Sequence, residues 1–296
     1  MGLYKTYGFY KSISVALPLI QTIHKNRLQV LLLSVIINIT ACTTPSANFH
    51  NTAVEHQFKA TKINTPLFEH IIYSNNISDI SAAQKLHIYL DGDGTPWLRN
   101  RWITKDPSPR NPQILGLMSL DRSPAILLGR PCYYGLHSTA NCHFRYWTSH
   151  RYAPDIVESM AQALSTWLTQ HPQFKQVTFI GYSGGGTLAV LLAPYFSNTQ
   201  QVVTIAANLD IDAWSNLHGY SPLSGSLNPI NQPKLNPAIK QLHISGGQDK
   251  NVPSAIIKSY IIQQESENLL IFENQAHCCW NKHWQLILDT FDTSHP

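Results

Sequence analysis

The chain has 296 residues, enough to bury a substantial core as one large α/β domain or two small ones. Its formal charge of +4 is local: Lys5, Lys11, Lys25 and Arg27 lie in residues 1–41, which hold no acid, and removing these four from 21 Lys plus Arg leaves 17 against 17 Asp plus Glu. A formally neutral body without a Lys/Arg run argues against nucleic acid as a partner.

Lys25 and Arg27 precede LQVLLLSVIINI (28–39), an apolar run short for a membrane span but of the length of a signal-peptide core. ITAC (39–42) follows it and resembles the lipobox of bacterial lipoproteins, where the leader is cut before a cysteine that then carries lipid. The resemblance implies a signal peptide over 1–41, lipidation of Cys42, and a membrane-anchored place in the bacterial cell envelope. Thr43, where an Asp would retain the protein at the inner membrane, points by the same resemblance to the outer membrane. Residues 42–66 are polar and patternless and read as a flexible tether, leaving 67–296 as the folded domain.

Within that domain, FEHIIYS (68–74), KLHIYL (85–90) and AILLGRP (125–131) are predicted strands. RYAPDIVESMAQALSTWLTQHP (151–172) is a predicted helix: Pro154 and Asp155 suit its first turn, and Ile156, Met160, Leu164, Trp167 and Leu168 recur at helical spacing. VTFI (177–180), a helix through GTLAVLLA, QVVTIAA (201–207), KQLHISG (240–246), a helix from about Pro253, LLIFEN (269–274) and a last helix through HWQLILDTF complete the alternation. Apolar strands alternating with helices imply a mostly parallel sheet covered on both faces.

With Cys42 set aside, four cysteines remain for an oxidising compartment. Cys132 and Cys142 close a short polar loop and are the expected disulfide. The adjacent Cys278 and Cys279 could bridge each other, stay reduced, or reach the first loop. No C-x-x-C spacing supports metal ligation with His143 or His277, so no metal is expected.

The chemistry concentrates in GYSGGGTLAVLLA. Gly181-Tyr182-Ser183-Gly184-Gly185 is G-x-S-x-G between a strand and a helix, a turn that lifts a serine above the sheet and puts the next N–H at a helix N-terminus. The same stretch reads as G-x-G-x-x-A from Gly184, with Asp210 near the place of a ribose-binding acid, so an NAD(P)-dependent oxidoreductase is the rival reading. Downstream residues favour the serine. Asp249 follows one predicted strand and His277 the next, the order an orienting acid and a base take after a nucleophile. Asp210 and Asp212 are alternative acids and His283 an alternative base. Asp91 and Asp93 suit a turn, while Trp97, Tyr133, Tyr134, Trp147 and Trp280 suit either a pocket or packing.

From about residue 68 onward, DGDGTPW, GYSGGG and the Asp249–His277 order resemble the α/β-hydrolase superfamily, in particular lipoprotein-like bacterial serine hydrolases. The resemblance implies an α/β-hydrolase fold with Ser183 as nucleophile, His277 as general base and acid, and Asp249 as the acid that holds it. Gly184 and either Asp93 or Gly94 would supply the oxyanion N–H groups; DGDG stands where lipases usually carry HG or HGG. The substrate would be a small acyl compound, a carboxylic ester first and a peptide or thioester as alternatives, with no cofactor. A catalytically idle binding lipoprotein is the reading from another class.

Overall fold

Strands whose side chains are apolar at nearly every position need cover on both faces, and helices between them supply it. The computed structural model describes residues 43–75, 84–99 and 101–291. In chain order the first elements are α1 (Pro45–Glu55), β1 (Lys59–Asn64), β2 (Glu69–Ser74), β3 (Lys85–Leu90), β4 (Trp97–Leu98), β5 (Trp102–Ile103), α2 (Gln113–Ser119) and β6 (Ala125–Leu128). There follow α3 (Pro154–Thr169), β7 (Gln176–Tyr182), α4 (Gly184–Leu192), β8 (Thr199–Ile205) and α5 (Ile211–His218). The last are β9 (Lys240–Gly246), α6 (Ser254–Gln264), β10 (Leu269–Phe272) and α7 (Asn281–Phe291).

Eight strands form one sheet in the order β1-β2-β6-β3-β7-β8-β9-β10, while β4 and β5 pair separately. β2 runs antiparallel to both neighbours; every pairing from β6 across to β10 is parallel. The central strands are buried as their composition demands: Leu86, Ile88, Tyr89, Phe179, Ile180, Val202 and Val203 are fully enclosed. Three histidines share that core. Burial holds His70 and His243 down at about 4, so both are neutral. His70 hydrogen-bonds the Gly129 carbonyl and Ser159, His243 bonds Thr204, and His87 meets Asp121 at 2.6 Å.

The signal-peptide span 1–41 and the lipidation position Cys42 lie outside the described residues. The tether expected over 42–66 is corrected by the structure. Thr44 caps α1 through its side chain, Pro45 opens the helix, and Phe49 is fully buried against Tyr134, their ring centroids 4.3 Å apart. β1 then pairs with β2 over six residues, from Lys59 opposite Ser74 to Asn64 opposite Glu69. The segment is polar because it covers an edge of the sheet, where one face meets water. The described residues from Thr44 onward therefore form a single unit.

Cys132 and Cys142 are joined as expected, with Cα atoms 5.5 Å apart, whereas Cys278 and Cys279 are free and exposed. Cys132→Ser with Cys142→Ser should lower stability by about 2–3 kcal/mol, the loop-closure entropy of a loop this short. Non-reducing peptide maps should carry the 132 and 142 peptides as one species; a 132 peptide joined to 278 or 279 would contradict the pairing.

Candidate active site

β7 ends at Tyr182 and α4 begins at Gly184, so Ser183 alone makes the turn. Its φ is 52°, a left-handed backbone that side chains other than glycine's rarely adopt, and strain of this kind persists only where its surroundings enforce it. They do so here by contact. A Cβ at Gly181 would stand 2.2 Å from the Gly185 carbonyl oxygen, and one at Gly185 2.1 Å from the Leu90 carbonyl oxygen. The Ser183 N–H donates to Ile205 at 2.8 Å and its carbonyl accepts from Gly186 at 2.9 Å. The same closeness disfavours the dinucleotide reading, because the glycines pack on the chain's own backbone and leave no room for a pyrophosphate. Asp210 is engaged elsewhere: it caps α5 by accepting from Ala213, and together with Asp212 it accepts from Asn228.

The loops after β9 and β10 bring the acid and the imidazole to the serine. His277 Nε2 lies 3.1 Å from Ser183 Oγ, and its Nδ1 lies 2.7 Å from Asp249 Oδ2. Asp249 is held from its other oxygen, which accepts the N–H groups of Asn251 and Val252, each at 2.8 Å. Asn251 turns its side-chain amide on His277 Nε2 at 3.1 Å. A carboxylate on Nδ1 favours the tautomer that donates to Asp249, and the one lone pair of Nε2 is then shared between the Asn251 amide and the Ser183 hydroxyl. The indole of Trp280 donates to the His277 carbonyl at 2.8 Å and pins the loop. His283 lies instead on the surface of α7 against Phe272.

Asp93 does more than turn the chain after β3. Its carboxylate pairs with Arg130 at 2.8 Å and Arg151 at 2.9 Å, and Tyr152 donates to it at 2.7 Å. Burial alone would raise this carboxyl; the two guanidinium charges outweigh burial and hold it at about 2. A Cβ on Gly184 would sit 2.1 Å from Asp93 Oδ1, so the Asp91–Gly94 turn lies directly over the start of α4. Among the described residues, the N–H groups of Asp93, Gly94 and Gly184 donate to no protein acceptor. The sequence concealed Arg130, Arg151 and Tyr152, which lie 37, 58 and 59 residues beyond Asp93 and carry no local pattern. Tyr133, one of the aromatics that suited either a pocket or packing, steadies the same turn by donating to the Asp93 carbonyl at 3.0 Å.

Asp91 behaves oppositely. Burial raises its carboxyl from 3.8 to about 7, against the opposing pull of the Gly92 N–H and Arg130. The folded protein then keeps a proton that the unfolded chain releases, so stability should fall as pH rises from about 4 to about 7. Asp91→Asn keeps an oxygen for the Gly92 N–H and removes the charge. It should flatten that slope and raise stability at pH 8 by up to about 4 kcal/mol. Urea melts of both proteins across that pH range provide the check; an unchanged slope would assign it to another group.

A concavity of about 850 Å³ lies at the far, N-terminal ends of β9 and β10, between Lys234, Lys240 and Glu267. Ser183, His277 and Asp249 are not part of it.

No family model and no curated protein matches the sequence. The fold, however, has solved counterparts. An esterase of Pyrococcus furiosus is similar with a TM-score of 0.54 at 12% identity, over 79% of this chain and 91% of that one. An acylaminoacyl peptidase of Pyrococcus horikoshii has a TM-score of 0.54 at 11% identity; the similarity covers 79% of this chain but only 41% of the peptidase. A bacterial membrane phospholipase A has a TM-score of 0.51 at 12% identity, over 92% and 100% of the two chains. At such identities the likeness is one of fold. The chain has the α/β-hydrolase fold, as its motifs implied.

Proposed function

We propose that the protein is a serine hydrolase that cleaves an acyl bond, a carboxylic ester foremost, through Ser183, His277 and Asp249. One observation carries the reading: a continuous line of hydrogen bonds from Ser183 Oγ through the imidazole to a buried carboxylate, starting on a strained turn. Ser183 Oγ attacks the carbonyl carbon while His277 Nε2 takes its proton. The carbonyl oxygen, now negative, receives the N–H of Gly184 and that of Asp93 or Gly94. Each such donor is worth about 3 kcal/mol to the transition state. His277 then protonates the leaving group, and water repeats the cycle on the acyl-enzyme.

The substrate reading rests on what covers the site. Between α5 and β9 the chain has only turns and one short 3₁₀ segment, and Gly225, Ser226 and Leu227 lie against residues 149–152. A cover this thin suits a small acyl group. The fold's solved counterparts include an esterase, a phospholipase and a peptidase, so fold alone does not choose among acyl bonds. A fluorophosphonate probe should label the wild type and not Ser183→Ala, and a chain-length series of esters should be turned over faster than matched peptides or thioesters. Absence of labelling alongside tight binding of NAD would instead revive the oxidoreductase.

For location, the reading is a lipid anchor on Cys42 in the outer membrane, supported by the ITAC motif. Labelled palmitate should enter the wild type and not Cys42→Ser. Recovery of an unlipidated chain with residues 1–41 intact would overturn it.

A further inference from the structure

Four large apolar side chains stand out of the β4–β5 ribbon: Trp97 is 41% exposed, Leu98 36%, Trp102 62% and Ile103 39%. Strands of two residues supply little stability of their own, yet the root of this ribbon is held. The Thr95 N–H donates to Pro107 at 2.9 Å, the Thr104 N–H to Pro96 at 3.0 Å, and the Trp147 indole to the Thr104 carbonyl at 3.2 Å. A clamped root with an apolar tip presents those side chains to a partner.

The charge around them has one sign. Arg99, Arg101, Lys105 and Arg110 are exposed, and among the described residues none makes an ion pair. The one acid in residues 95–110 is Asp106, and backbone N–H groups of Ser46 and Ser108 occupy its two oxygens. The Arg101 guanidinium lies 5.3 Å from the Trp102 ring centre. Tryptophans flanked by free cations suit the boundary between hydrocarbon and anionic headgroups, where the ring spans both media and the charges find phosphate.

Position agrees with chemistry. The bond from the Ser46 N–H to Asp106, 2.9 Å, sets the start of α1 beside the ribbon's root. On its other side the ribbon continues directly from the Asp91–Gly94 turn over Ser183. We propose that the β4–β5 ribbon is an interfacial contact that seats the mouth of the Ser183 site on a lipid surface carrying anionic headgroups. The contact concerns where the domain sits, and holds whichever acyl bond Ser183 attacks.

Tryptophan emission tests it in the full chain. Of the seven tryptophans, Trp97 and Trp102 are exposed, Trp147, Trp167, Trp280 and Trp284 are buried, and Trp214 is half-buried with its indole N–H on the Asn251 carbonyl, so lipids with brominated acyl chains should quench the first two. On brominated phosphatidylcholine vesicles containing phosphatidylglycerol, wild-type emission should fall, and Trp97→Phe with Trp102→Phe should abolish the fall without changing the melting curve. Arg99→Glu with Arg101→Glu should raise the lipid concentration for half-quenching about tenfold or more on these vesicles. Equal quenching in wild type and the Phe variant, or none in either, would overturn the contact. Equal quenching with and without phosphatidylglycerol would overturn the anionic partner. A concentration-dependent dimer in sedimentation, lost in Trp102→Ala, would give the ribbon to a second copy of the chain instead.

Discussion

Ser183→Ala should lower turnover of an activated ester by about 10⁵–10⁶-fold, and His277→Ala by a similar factor. The double variant should lose little more than either one, because a nucleophile without its base and a base without its nucleophile are equally idle. Asp249→Asn should cost about 10⁴-fold. Its amide can no longer accept from Nδ1 with a full charge, and a flipped tautomer would turn an N–H, not a lone pair, toward Ser183. Asp210→Asn should keep most activity, since Asp210 caps α5 away from the imidazole. Steady-state rates on one soluble ester decide this. A dead Asp210→Asn beside an active Asp249→Asn would move the acid to the other strand.

Asp93→Asn should be the most damaging change to stability near the site. It leaves Arg130, with 1% of its side chain exposed, and Arg151, with 7%, facing each other without their shared counter-charge. Removing one partner of a buried charge cluster costs about 3–5 kcal/mol. Adding Arg130→Met should restore part of the loss by removing one of the two stranded cations. Urea unfolding at neutral pH measures both steps; if the second substitution deepens the loss, the arginines are held by packing and not by Asp93. The wild-type contribution has a pH signature. Because the Asp93 carboxyl is held down at about 2, its stabilisation is complete above the ordinary 3.8 and is lost as pH falls through that interval.

The parts of this molecule that could be read from sequence are those whose cause is local. β3, β7, β8 and β9 announce themselves as apolar runs, and α3 by its stripe and its proline, because burial on both faces or one face writes itself into consecutive residues. The turn at Ser183 was legible because close approach at Gly181 and Gly185 excludes any side chain. Helix α1 was missed for lack of apolar residues, although Thr44, Pro45 and the spacing of its buried Ser46, Phe49 and Ala53 were a usable signal. The β4–β5 ribbon was missed because strands of two residues have no period. Asp93 was legible as a turn former and as a backbone oxyanion donor; what its carboxylate does lies in two arginines that return to it only after the chain has crossed from β3 to β6, 37 and 58 residues on, which no local window of sequence contains.

The early start of α1 bears on reach. Only Thr43 and Thr44 lie between position 42 and the helix, and two residues extend to about 7 Å at most. A lipidated Cys42 would therefore hold the domain on a leash shorter than the domain's own radius, unlike lipoproteins that hang from long linkers. Such an enzyme could not sweep the aqueous space around it. It would meet substrates dissolved in or adsorbed to its own bilayer at high effective concentration, and those on an opposing surface hardly at all.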